Sequence, residues 1–155
     1  MVEILSYDKA KHRSCALAIF KSYPDIFAGL ELKQIEEELN EISTPLYERF
    51  VATLDGKVVG FSALKRSSDT KHSWAVYWLA VDSNYSGQGI GTQLVEKVIE
   101  EAKTKNTACL YVETCGCEDQ ISARKLYEKC GFKKVGEVPD YYEVGHPKVT
   151  YFRVP

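Results

Sequence analysis

The stretch from Tyr77 to Ala102 contains an apolar run, a glycine-rich loop and an amphipathic helical pattern, in that order. The apolar run ends at Val81 and three glycines follow at 87, 89 and 91. Apolar residues then recur at helical spacing: Leu94, Val95, Val98, Ile99 and Ala102. Glycines let a backbone approach a bulky anion, and a helix N-terminus offers unpaired N–H groups and a positive dipole end. The stretch therefore predicts a site that binds the phosphates of a ligand.

Length and composition limit the partners of such a site. With 155 residues, 45% of them hydrophobic, the chain is predicted to form a single globular domain over residues 1–155. The net charge of −2 argues against a nucleic-acid partner. No apolar run approaches the ~18 residues of a membrane span, and the N-terminus lacks the pattern of a signal peptide. We therefore expect a cytoplasmic protein without a nucleic-acid or membrane partner.

The five cysteines do not suggest a disulfide framework. Three lie within apolar patterns and are predicted to be reduced core residues: Cys15, Cys109 and Cys130. Cys115 and Cys117 form a Cys-Gly-Cys sequence in a predicted loop. Zinc sites normally use more widely spaced pairs, and the histidines at 12, 72 and 146 are scattered. We therefore expect no metal site.

Periodicity and turn residues divide the chain into alternating strands and helices. Strands are predicted at 2–6, 49–54, 57–64, 73–81, 109–113, 132–138 and 149–153, the last two joined by a loop over 139–147. Helices are predicted at 9–23, along an apolar stripe formed by residues 32, 35, 39 and 42, and at 92–105 and 121–129. The short apolar strand 109–113 should lie parallel to strand 73–81, because a helix connects them. The predicted class is α/β with a mixed sheet.

Several phosphate ligands are compatible with a glycine loop. A Walker-type loop, which binds a nucleoside triphosphate, needs Gly-Lys-Ser/Thr. Here Thr92 directly follows Gly91 without a lysine, so this type of loop is excluded. A dinucleotide site needs Gly-x-Gly-x-x-Gly in a tight turn, but Thr92 stands in place of the third glycine and the first glycine comes six residues after Val81. Glu113, at the end of the next strand, keeps the dinucleotide hypothesis open. The loop is also compatible with a purely structural nest and with an acyl-CoA site.

Two motifs point to acyl-CoA. The first combines Leu79-Ala80-Val81 with the loop Ser86-Gly87-Gln88-Gly89-Ile90-Gly91, and the second is Ala123-Arg124-Lys125-Leu126-Tyr127-Glu128-Lys129-Cys130-Gly131-Phe132. In this order they resemble the GNAT N-acetyltransferases over nearly the whole chain, with similarity to a little-characterised prokaryotic branch. The resemblance implies a mostly antiparallel sheet, helices on both faces and a splayed parallel strand pair that holds acyl-CoA. It also implies acetyl-CoA as co-substrate, and homodimers are frequent in the family.

The resemblance further implies which residues contact CoA. Main-chain groups of Leu79 and Val81 would pair with the pantetheine arm, and loop amides would cradle the pyrophosphate. The full implied set is Leu79, Ala80, Val81, Ser86, Gly87, Gln88, Gly89, Ile90, Gly91, Thr92, Gln120 and Ala123. Ser86 departs from the usual Arg or Gln of the family, and Gln120 from a frequent Asn.

Acetyl transfer to an amine needs a group that protonates the departing thiolate and a route for the proton of the amine. Tyr127 matches the general acid of the family. Strand 73–81 holds no carboxylate, so Glu113 on the neighbouring strand is the candidate base. Tyr77 with a water chain is an alternative, and Glu113 could instead bind a substrate cation.

The acceptor is expected opposite CoA, where the first two helices meet the 139–147 loop. Aromatic residues would wall its site (Tyr23, Phe27, Tyr77, Trp78, Tyr141 and Tyr142) and carboxylates would supply negative charge (Asp25, Glu113 and Asp140). This composition suits a small amine. We therefore expect an acetyl-CoA-dependent N-acetyltransferase. A catalytically silent acyl-CoA sensor and a dinucleotide-binding protein are the competing hypotheses.

Overall fold

Seven strands form one sheet in the order β1-β2-β3-β4-β5-β7-β6. The computed structural model describes residues 1–27 and 29–155. The strands are β1 (Val2–Ser6), β2 (Tyr47–Leu54), β3 (Lys57–Arg66), β4 (Ser73–Val81), β5 (Cys109–Cys115), β6 (Lys133–Glu143) and β7 (His146–Arg153). The helices are α1 (Lys9–Lys21), α2 (Gly29–Leu39), α3 (Ile90–Lys103) and α4 (Ile121–Lys129). Only β4 and β5 pair in parallel among these strands, which confirms the predicted mixed, mostly antiparallel sheet.

Each face of the sheet is covered by a pair of helices. On one face, α1 and α2 bury Phe20, Ile35 and Leu39 against Phe61 of β3. On the other face, α3 and α4 pack on a core that includes Leu64, Val76, Val98, Leu110 and Tyr127. The amphipathic repeat of α3 explains its position, because the residues at helical spacing are the buried ones. Helices on both faces are thus confirmed.

The parallel strands β4 and β5 separate after a short paired segment. The pairing joins Ser73–Ala75 to Cys109–Tyr111, and β4 then continues to Val81 while β5 turns toward β7. In β4, Tyr77 and Trp78 interrupt the register against β3, which is a β-bulge. The gap between the two strands opens toward their carboxyl ends. The predicted splayed strand pair is therefore present, and it positions the site described below.

The predicted loop 139–147 is wrong, because β6 and β7 form one long hairpin. β6 extends to Glu143 and β7 starts at His146, so two residues connect them. Every residue of β6 is exposed, and Asp140 has a φ of 54° within an irregular register. An exposed edge strand does not need the alternation that marks half-buried strands, and it tolerates Pro139. These properties removed the sequence signal for the longer strand.

Two smaller expectations are also corrected. α2 ends at Leu39, which leaves Ile42 at 75% exposure instead of on the apolar stripe. Cys15 lies on the solvent side of α1 and not in the core, whereas Cys130 is buried. The five cysteines, all within the described residues, are free thiols. Within the described ranges, no helix combines the length and the apolar character needed to cross a membrane.

Candidate active site

The glycine loop presents an open helix N-terminus. Gly87 and Gly89 have φ values of 76° and 79°, in the left-handed region that favours glycine. Gly89 caps α3, and among the described residues no side chain bonds to this cap. Gln93 N–H donates to the Gly89 carbonyl at 3.1 Å, so the amides of residues 90–92 lie before the first helical hydrogen bond. These amides and the helix dipole form a site suited to phosphate.

Gly91 brings this helix end against its neighbours. A Cβ atom at Gly91 would lie 3.1 Å from Leu126 Cδ2 and 3.7 Å from Val81 Cγ2. The absence of a side chain therefore lets α3 start close to both α4 and the end of β4. The three elements enclose one cleft.

This cleft is a cavity of about 670 Å³, called the cofactor cavity below. All the residues predicted to contact CoA line it except Gln88, whose side chain is exposed: Leu79, Ala80, Val81, Ser86, Gly87, Gly89, Ile90, Gly91, Thr92, Gln120 and Ala123. The predicted residues thus share one cavity, while their contacts with CoA stay predictions.

Two lysines of the cofactor cavity were missed at the sequence level. Lys125 and Lys129 lie one turn apart on α4, and both line the cavity. Their i, i+4 spacing within the second motif places both on one helix face, which is the signal that could have identified them. They provide positive charge for an anionic ligand next to the α3 N-terminus.

Tyr23 lies in the cofactor cavity, and not in the acceptor site for which it was predicted. Its hydroxyl donates a short hydrogen bond to the main-chain carbonyl of Val81. One acceptor position of the Val81 carbonyl, predicted to pair with pantetheine, is thus used by the protein itself. The bond ties the segment after α1 to the end of β4.

A second cavity of about 320 Å³ opens between β4 and β5, and it is called the acceptor cavity below. It contains the predicted Phe27, Tyr77, Trp78, Glu113 and Tyr142, whereas Tyr141 and Asp140 do not line it. Five carboxylate residues contribute to its wall: Asp25, Glu31, Glu113, Asp119 and Glu143. The two cavities are adjacent, since both are lined by Ile26, Phe27, Leu79, Asp119 and Gln120.

Tyr127 lies at the wall of the acceptor cavity and is only 5% exposed. Its ring packs at 6.0 Å from that of Phe132 and at 6.3 Å from that of Tyr151. Burial raises the pKa of Tyr127 above its ordinary value, with a smaller contribution from Cys130. The phenol therefore keeps its proton, as a general acid must.

Glu113 forms an ion pair across the β5–β7 pairing. Its Oε2 atom lies 2.8 Å from Lys148 Nζ, and the side chain is 40% exposed. Lys148 also lies 4.2 Å from the ring centre of Tyr141. The carboxylate is available at the cavity wall, but it already has a cationic partner.

Glu38, on α2, binds the polar atoms of the aromatic residues that form one wall of the acceptor cavity. It is 8% exposed and accepts hydrogen bonds from Trp78 Nε1 at 2.5 Å and from the hydroxyls of Tyr77 and Tyr47, each at 3.2 Å. Burial, assisted by Glu38, raises the pKa of Tyr77 to about 12, so Tyr77 is a hydrogen-bond donor here and a poor base. The role of Glu38 was not recognised from the sequence, because it stands in an acidic run. Its position three residues after Ile35 of the buried stripe was the available signal.

Comparison with known proteins agrees with this architecture. Residues 16–132 match the sequence model described as the acetyltransferase (GNAT) family. The chain belongs to the GNAT family. A relative, N-acetylaspartate synthetase of Danio rerio, is 37% identical over 92 residues, which cover 59% of this chain and 32% of that protein. The chain thus spans about a third of the length of such relatives.

Solved GNAT structures share the fold. A GNAT-family protein from Desulfovibrio desulfuricans superposes with a TM-score of 0.87 at 20% identity, and 99% of each chain is covered. An aminoglycoside 6'-N-acetyltransferase complexed with coenzyme A superposes with a TM-score of 0.80 at 18% identity, over 98% of this chain and 96% of the other. At these identities the likeness concerns the fold. The predicted family and fold class are confirmed.

One cluster of this GNAT chain was not expected. Cys115, Cys117 and His146 each place a potential metal-ligating atom within 4.8 Å of the others. The expectation of no metal rested on the narrow spacing of Cys-Gly-Cys and on scattered histidines, but the pairing of β5 with β7 brings His146 beside the two cysteines. These residues also line the acceptor cavity. Burial and Cys117 raise the pKa of the Cys115 thiol to about 11.

Proposed function

We propose that this chain transfers an acetyl group from acetyl-CoA to the amine of a small molecule, by direct attack in a ternary complex. The observation that carries the proposal is the junction of the two cavities at the splayed strands β4 and β5. One cavity ends at a helix N-terminus suited to phosphate, and the other contains a buried phenol and several carboxylates. Leu79 and Gln120 lie where the cavities meet.

The cofactor cavity has the donors that CoA requires. The amides of residues 90–92 would bind the pyrophosphate, and Lys125 and Lys129 would add positive charge. Main-chain groups of Leu79 would orient the pantetheine arm toward the acceptor cavity. The thioester supplies the activated acetyl group, and holding it beside the amine removes much of the entropic barrier.

In the acceptor cavity, the amine nitrogen would form a bond to the acetyl carbon while the carbon–sulfur bond breaks. Tyr127 would protonate the thiolate, since its raised pKa keeps the phenol protonated at neutral pH and so available as the proton donor when the carbon–sulfur bond breaks. A cationic amine loses two protons in the reaction. One would leave through Glu113, directly or through water, before the nitrogen attacks, and the second, released from the nitrogen after attack, would restore the phenol of Tyr127. The acidic wall attracts the cationic form of an amine to this cavity.

The chemistry of the cavity also bears on the acceptor. The N-acetylaspartate synthetase relative suggests an amino acid, but aspartate is an anion at neutral pH. Five carboxylate residues at the wall favour an acceptor with net positive charge. We therefore place cationic small amines first in the substrate class.

A panel of small amines with acetyl-CoA, followed by release of free thiol, tests the proposal. Cationic amines should support turnover, and Tyr127→Phe should lower kcat by roughly 100-fold or more while CoA affinity stays within about twofold. Tyr151→Phe is the matched control, because it removes a neighbouring phenol that does not line the cavity. Turnover by Tyr127→Phe at the wild-type rate would remove Tyr127 from the mechanism.

A catalytically silent acyl-CoA sensor is the second candidate, and the ion pair of Glu113 with Lys148 favours it. A sensor would bind CoA in calorimetry but release no thiol with any amine of the panel. Thermal-shift measurements with acetyl-CoA, CoA and NAD also address the dinucleotide hypothesis. Stabilisation by NAD alone would contradict both CoA proposals.

A further inference from the structure

We propose that Cys115, Cys117 and His146 bind a Zn²⁺ ion at the wall of the acceptor cavity. The three residues lie outside the cofactor motifs. Two thiolates and one imidazole are the donor set that zinc prefers over magnesium or calcium, which take oxygen ligands. The binding of zinc does not depend on the proposed acetyl transfer.

The distances fit a tetrahedral ion after a small contraction. The candidate ligand atoms lie within 4.8 Å of one another. Zinc bonds of about 2.3 Å to sulfur and about 2.1 Å to nitrogen, at tetrahedral angles, place ligand atoms roughly 3.5 to 3.8 Å apart. The side chains therefore need to move inward by about 1 Å, which side-chain rotation supplies without a change of fold.

The Cys-Gly-Cys sequence is fixed against β7 by its central glycine. Gly116 N–H donates to the Pro147 carbonyl at 2.9 Å. A Cβ atom at Gly116 would lie 2.9 Å from Pro147 Cγ and 3.0 Å from Val149 Cγ2. Only glycine allows this close approach, and the approach brings both cysteines to the first residue of β7, His146.

Hydrogen bonds hold the cysteine turn in a chelating shape. Arg124 Nη1 donates to the carbonyls of Cys115 and Cys117, both at 2.7 Å. The Cys117 N–H donates to Cys115 Sγ at 3.2 Å, a bond that strengthens when the sulfur becomes a thiolate. The protein thus orders the turn before an ion binds, which lowers the entropic cost of coordination.

Glu143 lies beside the imidazole of His146 and could orient it in the proposed site. Its Oε1 atom lies 3.3 Å from His146 Nε2, and the two residues face each other across the β6–β7 turn. A carboxylate that bonds to one ring nitrogen of a histidine fixes the ring while the other nitrogen binds a metal. Glu143 is therefore a positioning residue of the proposed site.

The fourth coordination position would face the acceptor cavity. Cys115, Cys117, Glu143 and His146 all line that cavity, so a water molecule or a donor atom of the acceptor could complete the tetrahedron. Zinc would also join the end of β5 to the β6–β7 hairpin. The ion would thereby fix the distance between the end of β5 and the hairpin, the two walls that the acceptor would contact. This consequence rests on the proposed function, whereas zinc binding does not.

The test measures metal binding by the untagged chain of residues 1–155 under a phosphine reductant and without acetyl-CoA. We expect one Zn²⁺ per chain by competition with a chromophoric chelator, and a thiolate-to-metal charge-transfer band when Co²⁺ replaces Zn²⁺. Cys117→Ser and His146→Asn should each weaken Zn²⁺ binding at least 100-fold. Glu143→Gln should weaken it roughly 10- to 100-fold.

Cys15→Ser and His72→Asn are the matched controls, because each removes the same type of ligand far from the cluster and should leave the affinity unchanged. Circular dichroism confirms that each variant is folded. No Zn²⁺ bound to the reduced wild type, Co²⁺ bound without a thiolate band, or equal affinity in Cys117→Ser would each overturn the proposal. These results are independent of turnover, so the proposed acetyl transfer stands or fails separately.

Discussion

The cofactor cavity and the acceptor cavity are built in different ways. The first is assembled mainly from one continuous stretch, residues 79–92, and from α4 with the turn before it, and its phosphate end is formed by backbone amides. Tyr23, Ile26 and Phe27 complete one side of it. The second takes side chains from six places: residues 25–27 and 31 before and at the start of α2, the β4 bulge, the end of β5, the segment 117–120, α4 and the β6–β7 hairpin. A cavity made from backbone in one segment tolerates side-chain change, whereas one made from distant side chains changes with every substitution. We therefore expect side-chain substitutions to affect the acceptor cavity more than the cofactor cavity.

Gly91→Val tests whether the cofactor cavity depends on its backbone. The new side chain would meet Leu126, which a Cβ atom already approaches at 3.1 Å, and displace the start of α3. We expect acetyl-CoA affinity to fall by roughly 100-fold, since amides and helix dipole both lose their position. Calorimetry with CoA measures the effect.

Gly136→Val is the control, because a Cβ atom there meets nothing within 4 Å and its φ is not positive. Retained affinity in Gly91→Val would mean that side chains, and not the helix start, dominate this cavity.

Glu38→Gln tests the support of the acceptor cavity. The neutral amide accepts weaker hydrogen bonds from Tyr77 and Trp78, and its NH₂ group faces their donors. We expect a loss of about 2 kcal/mol in the free energy of unfolding by urea denaturation. The KM for the amine should rise while the KM for acetyl-CoA stays nearly constant.

Glu37→Gln makes the same change at a neighbouring position on α2 and should have little effect. Equal increases in both KM values for Glu38→Gln would show that the two cavities are not energetically separate.

Lys125→Ala tests the charge of the cofactor cavity. Because the side chain is exposed, its attraction to phosphate is screened, and we expect the KM for acetyl-CoA to rise only about fivefold. The increase should shrink at high ionic strength. Lys133→Ala removes a charge from exposed β6 as the control, and an equal salt-dependent effect there would point to net charge as the cause.

The pH dependence of stability tests the burial of Tyr127. A tyrosine whose pKa is raised on folding contributes stability below the ordinary value of about 10, and that contribution is lost as pH rises from there toward the folded-state pKa. Each pH unit in this interval costs about 1.4 kcal/mol. Urea denaturation at pH 9 and pH 11 should therefore show a smaller loss for Tyr127→Phe than for wild type. Identical losses would mean that the phenol is solvated.

The contrast between the cavities also explains what could be predicted from the sequence. The glycine loop and the Tyr127 helix are local motifs, and the strand–loop–helix order alone positions Gly91 and Val81. Glu38 could not be assigned, because its burial on α2 depends on Tyr47, Tyr77 and Trp78, which come from the two strands β2 and β4.

The same limit applies to His146. Its neighbours in space, Cys115 and Cys117, are about thirty residues away in the sequence, and they meet only through the β5–β7 register. The full length of β6 could not be predicted either, since an exposed edge strand has no buried side and therefore no alternation of apolar and polar residues. Long-range pairing is the information that a single sequence lacks.

The hydrogen bond from Tyr23 to the Val81 carbonyl has a consequence for how the two cavities affect each other. The segment that it fixes supplies Ile26 and Phe27 to both cavities. A ligand that displaces the Tyr23 hydroxyl from the Val81 carbonyl would therefore also shift the wall on the acceptor side. We expect the two substrates to be thermodynamically linked, so that each changes the affinity of the other by the same factor, whichever arrives first.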